Sequence, residues 1–246
     1  MDRALYVAMT GAAQTLKAQA VNSHNLANAS TVGFKAELAA QQAVAVDGPL
    51  MPTRVNTQLQ GQGFDGSLGS IMQTGNPLDV ALAPDRWLAV QAPDGSEAYT
   101  RAGDLQVGAD GLLRNGGGHM VMGDGGPLSV PPNSQIAIGN DGTVTVVPLG
   151  QGPEAPVTVG RLKVVDATAD QLERGSDGLM RARAGQTPED ASGAVMTSGA
   201  VESSNVNLAE SMVTMIALAR QFEMQVKLMR TAEQNDQASA SLMRMG

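Results

Sequence analysis

The chain has 246 residues, a formal net charge of −8, no cysteine and only 2% aromatic residues. Without cysteine it has neither disulfides nor thiolate metal sites. No segment is basic enough to follow a phosphate backbone, which argues against nucleic-acid binding.

Proline and glycine divide the chain into three parts. All 12 prolines and 26 of the 29 glycines lie between residues 41 and 199. Because these residues break regular helix, we predict two long terminal helices around a turn-rich middle. The net charge is only +1 over residues 1–40 and −1 over residues 200–246, so like segments can pack without strong repulsion. This organisation favours assembly over catalysis.

Residues 2–28 are predicted to form an amphipathic helix within an N-terminal segment, 1–28. Its apolar residues recur at steps of three, four or six: Leu5, Met9, Ala12, Leu16, Ala20 and Leu26. Polar residues such as Gln14 and Lys17 interrupt any apolar run, so a cleavable signal peptide is not expected. Nor does any stretch approach the roughly 20 apolar residues that span a bilayer. We therefore expect a protein that is not membrane-inserted.

The middle of the chain is predicted to hold a connector and a β domain. Residues 29–74 look extended and irregular, and Gly33 permits a sharp turn after the first helix. Residues 75–199 show short apolar or alternating runs, which are typical of a meander, sandwich or barrel. Asp-Gly pairs, which favour tight turns, begin at residues 47, 65, 94, 110, 124, 141 and 177.

Residues 207–243 are predicted to form a second helix within the C-terminal segment, 200–246. A heptad seam of alternating four- and three-residue steps runs through Leu208, Met212, Met215, Ala219, Phe222, Val226 and Met229. Either Asn205 or Asn207 is expected to cap its start. One such pattern fits an ordinary core helix equally well. Two of them at opposite termini favour a paired helical layer.

No motif predicts an enzyme, a cofactor or a metal site. Gly61, Gly63 and Gly66 have the spacing of a dinucleotide loop, but the segment lacks a preceding strand and a following helix. The two histidines, His24 and His119, are too far apart in sequence to form a His-x-x-x-His zinc pair.

Several motifs carry a family resemblance. The N-terminal ones are Met1-Asp-Arg-Ala-Leu-Tyr6, Asn25-Leu-Ala-Asn28 and Gly33-Phe34-Lys35; the middle ones are Thr74-Gly-Asn-Pro77-Leu-Asp79 and Tyr99-Thr-Arg101-Ala-Gly103; the C-terminal ones are Val201-Glu-Ser-Ser-Asn205 and Arg220-Gln-Phe222-Glu223. In this order they resemble the bacterial flagellar rod and hook proteins, and most of all the proximal-rod members of that family.

This resemblance implies an α+β fold in which the terminal helices pair as a coiled-coil layer lining a hollow helical tube. The β domain is expected outside that layer, and residues 29–74 are expected to supply subunit contacts. The implied partners are other rod proteins, copies of the same chain and the flagellar export apparatus. The implied location is the periplasmic rod, where the tube carries motor torque to the hook.

The expected assembly interface follows from the same resemblance. It comprises Leu5, Met9, Leu16, Asn25, Leu26, Asn28, Gly33, Phe34, Leu208, Met212, Met215, Phe222, Val226 and Met229. The alternative is a secreted β-domain module that binds or hydrolyses carbohydrate and oligomerises through its terminal helices. The few scattered aromatic residues disfavour it, because sugar sites usually carry aromatic platforms.

Overall fold

The computed structural model describes residues 3–45, 55–148 and 156–244. Its fold is α+β, with helix α1 at Arg3–Ala27 and helix α2 at Leu208–Arg244. The predicted terminal helices and β-rich middle are therefore confirmed. Two compact units make up the chain: a helical unit (residues 1–27, 37–63 and 207–246) and a β unit (residues 28–36 and 64–206).

In the helical unit, α1 and α2 pack against each other in antiparallel directions. Asn22 Nδ2 donates a hydrogen bond to the Ser211 carbonyl at 2.8 Å, and Gly11 faces the side chain of Gln225. The absence of a Cβ at Gly11 lets the Gln225 amide approach the α1 backbone. The two helices thus pair within one chain, while a coiled-coil geometry for this pair remains a prediction.

Helix α2 begins where its sequence predicts. The Asn207 side-chain oxygen accepts hydrogen bonds from the N–H groups of Ala209 and Glu210 at 3.1 and 3.3 Å. These bonds satisfy two of the donors that the first turn of a helix leaves free. Of the two cap candidates, Asn207 is therefore the cap.

Two strands complete the helical unit. Strand β1 (Glu37–Ala45) pairs with strand β2 (Val55–Phe64) in a two-stranded sheet. The irregular connector expected over residues 29–74 thus contains regular strands, because the two segments satisfy each other's backbone groups. The boundaries expected after residues 28, 74 and 199 describe roles in an assembly, and they remain predictions.

The β unit is built from short strands. In chain order they are β3 (Ile71–Gln73), β4 (Val80–Leu82), β5 (Arg86–Gln91), β6 (Glu97–Thr100), β7 (Leu105–Val107), β8 (Leu113–Asn115), β9 (Met120–Gly123), β10 (Gly126–Pro127), β11 (Asn133–Ile138), β12 (Thr143–Pro148), β13 (Val157–Arg161), β14 (Val164–Asp166), β15 (Leu172–Arg174), β16 (Met180–Ala182), β17 (Glu189–Asp190), β18 (Met196–Ser198) and β19 (Ala200–Glu202).

These strands form one large sheet and three small ones. The ten-stranded sheet has the order β15-β16-β6-β5-β9-β8-β7, with β10 on β9, β14 on β5 and β17 on β14. Strands β11, β12 and β13 form an antiparallel three-stranded sheet. Two antiparallel pairs, β4 with β18 and β3 with β19, bring residues 71–82 beside residues 196–202.

Four Asp-Gly turns have the same local structure. In each, the aspartate Oδ1 accepts the N–H of the residue two positions later, at distances of 2.9–3.2 Å. Each glycine has a positive φ, between 76° and 85°, a region that is sterically open to glycine. These turns, which begin at Asp94, Asp110, Asp141 and Asp177, confirm the turn prediction at those positions.

The β unit has two apolar clusters, and the aromatic rings among their buried residues all lie in the smaller one. The main cluster consists largely of Val, Leu, Ile and Ala side chains from β4–β9, β11, β12, β14 and β18 and the turns between them, including Val80, Leu88, Val90, Leu113, Val121 and Val144. A smaller cluster holds the rings of Phe64, Trp87 and Tyr99. Phe64 and Trp87 meet edge to face at 5.6 Å between ring centroids.

Candidate assembly site

The paired helices carry large apolar side chains that the chain itself leaves exposed. They are Tyr6, Met9 and Leu16 on α1 and Leu208, Met212, Val213, Ile216, Met224 and Leu228 on α2, each with roughly half or more of its surface exposed. Large apolar side chains left exposed on a pair of packed helices are candidates for an interaction surface. We call these nine residues the apolar helix surface.

The expected interface residues on the two helices fall into two groups. Met9, Leu16, Leu208 and Met212 lie on the apolar helix surface. Leu5, Leu26, Met215, Phe222, Val226 and Met229 are partly buried within the described chain. The α1 face that is fully buried carries the small residues Ala8, Ala12 and Thr15 instead. Small side chains allow close approach of helix backbones, so larger side chains remain available beside the packed face.

Asn25 anchors the end of α1 to strand β1. Its Nδ2 donates to the Glu37 carbonyl at 2.9 Å, and its Oδ1 accepts the Glu37 N–H at 2.8 Å. The Asn25 amide therefore bonds both the N–H and the C=O of Glu37, as the backbone of an adjacent strand would. Asn25 is 9% exposed, so this pair of hydrogen bonds is largely shielded from water.

Asn28, Gly33 and Phe34 belong to the β unit and shape the turn after α1. Asn28 accepts a hydrogen bond from the Thr31 N–H at 3.1 Å. Gly33 has φ 66°, as expected for this turn, and its N–H donates to the Glu202 carbonyl at 2.8 Å. Phe34 is buried under the Arg174 guanidinium, whose carbon lies 4.6 Å from the ring centroid.

Lys35, Arg101 and Glu202 form a buried charged cluster in the β unit. Lys35 Nζ donates to Glu202 Oε1 at 2.7 Å, and Arg101 Nε donates to Glu202 Oε2 at 2.6 Å. All three side chains are at most 2% exposed. Buried charges are stable only when their remaining donors and acceptors are satisfied.

Backbone groups complete this cluster. Lys35 Nζ also donates to the Ser67 carbonyl at 2.6 Å, and the Gly69 N–H donates to Glu202 Oε1 at 2.9 Å. Arg101 donates to the carbonyls of Leu82, Ala83 and Arg86 at 2.9, 3.2 and 2.7 Å. The cluster therefore fixes the segment after α1 and strand β19 to the rest of the β unit.

The cluster holds Glu202 ionised. Burial acts to raise the pKa of this carboxyl, but the charge of Arg101 and the hydrogen bond from Lys35 outweigh it, so its pKa lies below the usual value. Burial also lowers the pKa of Lys35, an effect that the hydrogen bond and charge of Glu202 oppose. The arrangement is that of a structural ion cluster with its polar groups satisfied.

Asn205 links the same segments a second time. Its side-chain oxygen accepts the Ala36 N–H at 2.7 Å, and its Nδ2 donates to the Asp65 carbonyl at 3.0 Å. Its backbone N–H donates to the Phe34 carbonyl at 3.3 Å. Residues 33–36 and 202–205 therefore lie side by side within the β unit.

Sequence analysis missed the roles of Lys35, Arg101 and Glu202, although all three lie in the motifs quoted for the resemblance. The signal that points to them is a charged residue inside an otherwise apolar or small-residue motif, at Phe34-Lys35-Ala and Val201-Glu202-Ser. Such a residue is usually buried with a partner if the motif itself is buried. The partner's identity is not encoded locally.

The part of the chain that the structure describes has neither a cluster of metal-ligating side chains nor a helix that could span a membrane. Within residues 3–45, 55–148 and 156–244, no group of three or more His, Asp or Glu side chains is placed to hold a metal ion. In the same ranges, neither helix is long and apolar enough to cross a membrane.

Three family models match separate parts of the chain. "Flagella basal body rod protein" matches residues 5–35, "Flagellar hook protein FlgE/F/G D1 domain" matches residues 81–146, and "Flagellar basal body rod FlgEFG protein C-terminal" matches residues 197–242. The first covers most of α1 and the turn after it, and the last covers β19 and most of α2.

Curated relatives match over the full length. The chain is 46% identical over 253 aligned positions to the flagellar basal-body rod protein FlgF of Salmonella typhimurium, with all of both chains covered. It is 44% identical to FlgF of Escherichia coli K12, again with all of both chains covered. It is 29% identical to the flagellar basal-body rod protein FlgG of Bacillus subtilis, covering 99% of this chain and all of that protein.

Proposed function

Since this chain belongs to the flagellar basal-body rod protein family, we propose that it is a proximal-rod subunit whose paired terminal helices form the inner layer of a helical tube. It is a structural component of the flagellar basal-body rod, as its close relatives are. The carbohydrate-binding alternative has no support among these relatives.

The observation that carries this proposal is the apolar helix surface. The β unit buries its apolar core within itself, whereas α1 and α2 leave nine large apolar side chains exposed. Burying such a side chain against a neighbour stabilises an assembly by roughly 1.5–3 kcal/mol. The helices thus carry most of the large apolar side chains that the described residues leave exposed, although the β unit also exposes a few, such as Ile71 and Met72.

The composition of this surface suits a rod. Subunits of a tube make heterologous contacts, in which one surface meets a different surface of the next copy. Three of the nine exposed residues are methionines, Met9, Met212 and Met224, whose flexible side chains adapt to differently shaped neighbours. Close lateral packing of helices resists twist, which is what transmission of motor torque to the hook requires.

Partners and location follow from the same proposal. The partners are copies of this chain and the rod proteins before and after it in the tube. We further propose that the chain reaches the periplasm through the flagellar export apparatus, a proposal that rests on its membership of the rod protein family.

The test is to place charge on the apolar helix surface. Met212→Glu with Ile216→Glu is expected to abolish incorporation into rods, because two carboxylates lose their hydration without gaining partners. Both positions are exposed in the chain, so the isolated protein is expected to fold normally. Thr214→Glu adds a carboxylate to an exposed polar position of the same turns and serves as the control.

The readouts are motility and the content of this chain in purified basal bodies. The proposal expects loss of both in the first variant and near-normal values in the control. If the Met212 and Ile216 variant assembles and swims normally, the helices do not form the inner packing layer. If both variants fail equally, added charge rather than the apolar surface is responsible, and the proposal is wrong.

A further inference from the structure

Strand β3 of the β unit has an exposed, uncharged outer edge. It pairs only with β19 among the described residues, in a register that sets Met72 opposite Val201. Ile71 and Met72 are 65% and 48% exposed, and Gln73 is also exposed. Proteins usually protect an edge strand with charges, prolines or a covering segment. Among the described residues, β3 carries no charge or proline and pairs with no second strand, although its length of three residues itself limits pairing.

The hydrogen-bond pattern shows which backbone groups face outward. The Ser203 N–H donates to the Ser70 carbonyl at 2.8 Å, and the Thr74 N–H donates to the Gly199 carbonyl at 2.9 Å. In an antiparallel pair the bonded positions alternate, so Met72 faces β19. Ile71 and Gln73, between these positions, therefore direct their N–H and C=O groups away from β19. An extended backbone is the natural partner for two such residues.

Charge separates this region from the rest of the chain. From Val55 to Leu78, a stretch that contains β2 and β3, the only charged residue is Asp65. The 159 residues from 41 to 199 carry nine basic and 17 acidic side chains. Outside the uncharged stretch, the excess of negative charge in this middle part makes copies of the chain repel one another. Uncharged segments are where two copies can approach at least cost.

Strand β2 offers a matching edge. It pairs only with β1 among the described residues, and a two-stranded sheet is marginal by itself. Its sequence, Val55-Asn-Thr-Gln-Leu-Gln-Gly-Gln-Gly-Phe64, has no charge to oppose pairing. A third strand stabilises such a ribbon by satisfying its free edge.

We propose that β2 of one copy adds to the outer edge of β3 on a second copy. This inference rests on the proposed function as a rod subunit. The contact joins two different surfaces, so it can repeat from copy to copy without closing, as a helical tube requires. It would tie neighbouring subunits together through backbone hydrogen bonds, in addition to contacts between helices.

Engineered cysteines test this pairing directly, because the chain has none of its own. Two tagged forms of the full chain are co-expressed in flagellated cells, one with Gln73→Cys in β3 and the other with Gln60→Cys in β2. Rods are isolated and treated with a short bismaleimide. The control replaces the first variant by Gln106→Cys, an exposed position on β7, which is an edge strand of the large sheet.

The proposal predicts a cross-linked product carrying both tags for Gln73 with Gln60, and none for Gln106 with Gln60. A second test uses Ile71→Cys chains in place of Gln73→Cys, again with Gln60→Cys partners. Adding Gln73→Pro to the Ile71→Cys chain removes an outward-facing N–H while leaving the Met72 bonds to β19. This change is expected to reduce the cross-link between positions 71 and 60 about tenfold, and Gln73→Ala is expected to leave it unchanged.

Two results overturn the inference. If the chain is in rods but positions 73 and 60 do not cross-link, or if position 106 cross-links equally, β3 is not the acceptor of β2. If the chain is absent from rods altogether, the proposed function fails, and this pairing fails with it. Rod content, measured by the tags before cross-linking, distinguishes the two.

Discussion

Lys35 and Glu202 are 167 positions apart in sequence, yet their side chains meet at 2.7 Å in the interior of the β unit. One lies just after α1, and the other ends β19 shortly before α2. Arg101, from the middle of the chain, binds the second oxygen of the same carboxylate. The segments next to both terminal helices are therefore anchored at one point.

Neutralising this carboxylate is expected to destabilise the β unit strongly. Glu202→Gln leaves Lys35 and Arg101 buried without their anion, and breaking a buried ion cluster in this way typically costs about 3–5 kcal/mol. The measurement is urea unfolding followed by fluorescence of Trp87, the sole tryptophan and a buried residue of this unit.

The control for this substitution is Asp110→Asn. It removes the carboxylate partner of Arg114, four residues further along the chain, from an ion pair near the surface, where solvent screens the charges. Its unfolding midpoint is expected to remain near that of the unmodified chain. Equal, small effects of both substitutions would contradict the assigned role of Glu202.

Acid is expected to weaken the β unit through the same residue. Because the pKa of Glu202 is lowered in the folded state, the unfolded state binds more protons as the pH falls. The stabilisation is complete above the ordinary glutamate pKa, about 4.3, and is lost as the pH falls through the lower folded value.

The check is the difference in unfolding free energy between the unmodified chain and Glu202→Gln, measured from neutral pH downward. This difference is expected to shrink in acid. The pKa of Asp177 is lowered to about 2, chiefly by a hydrogen bond from Arg181, so this residue also makes stability depend on pH. Its contribution is the same in both proteins and therefore cancels in the difference between their unfolding free energies. A difference that is independent of pH would refute the linkage.

Gly33 is expected to tolerate no side chain. It has φ 66°, and a Cβ built on it overlaps the backbone of Arg101 and Ala102. Gly95 has φ 83° but no atom within 4 Å of a built Cβ, so Gly95→Ala isolates the conformational cost, about 1–2 kcal/mol. Gly33→Ala is expected to lower the thermal midpoint well beyond Gly95→Ala. Similar midpoints would show that the close approach to Arg101 is unimportant.

Asn25→Ala is expected to loosen strand β1 at its first residue. The change leaves the N–H and C=O of Glu37 without the partners seen here, at a cost of about 1–3 kcal/mol. Hydrogen exchange at the Glu37 amide should accelerate accordingly. Ser23→Ala, at an exposed position nearby on α1, should leave this exchange rate unchanged. An unaltered rate in Asn25→Ala would contradict the bridging role.

Local sequence signals predicted the elements that local physics determines. The absence of proline and glycine identified α1 and α2, and Asp-Gly pairs identified four turns. The start of α2 was narrowed to Asn205 or Asn207, of which Asn207 is the cap. Each of these depends on residues within a few positions of one another. Strands β1 and β2 lacked a comparable signal, because they have little apolar alternation and are stabilised by pairing with each other.

Periodicity identified the packed face of α1 only in part. Met9 and Leu16 fit the expected stripe yet are exposed, whereas Ala12 of the same stripe is buried, together with Ala8 and Thr15, which lie outside it. Large side chains dominate a periodicity pattern, whereas close helix packing selects small ones. The charged cluster was hidden for another reason: Lys35, Arg101 and Glu202 come together only through the tertiary fold.

Electron cryomicroscopy of basal bodies purified from cells that carry this chain tests the central claim most directly. The account predicts density for the chain within the proximal rod, with α1 and α2 in the inner layer and the apolar helix surface covered by neighbouring subunits. Rods that lack the chain, or that leave Met212 and Ile216 exposed to solvent, would contradict it.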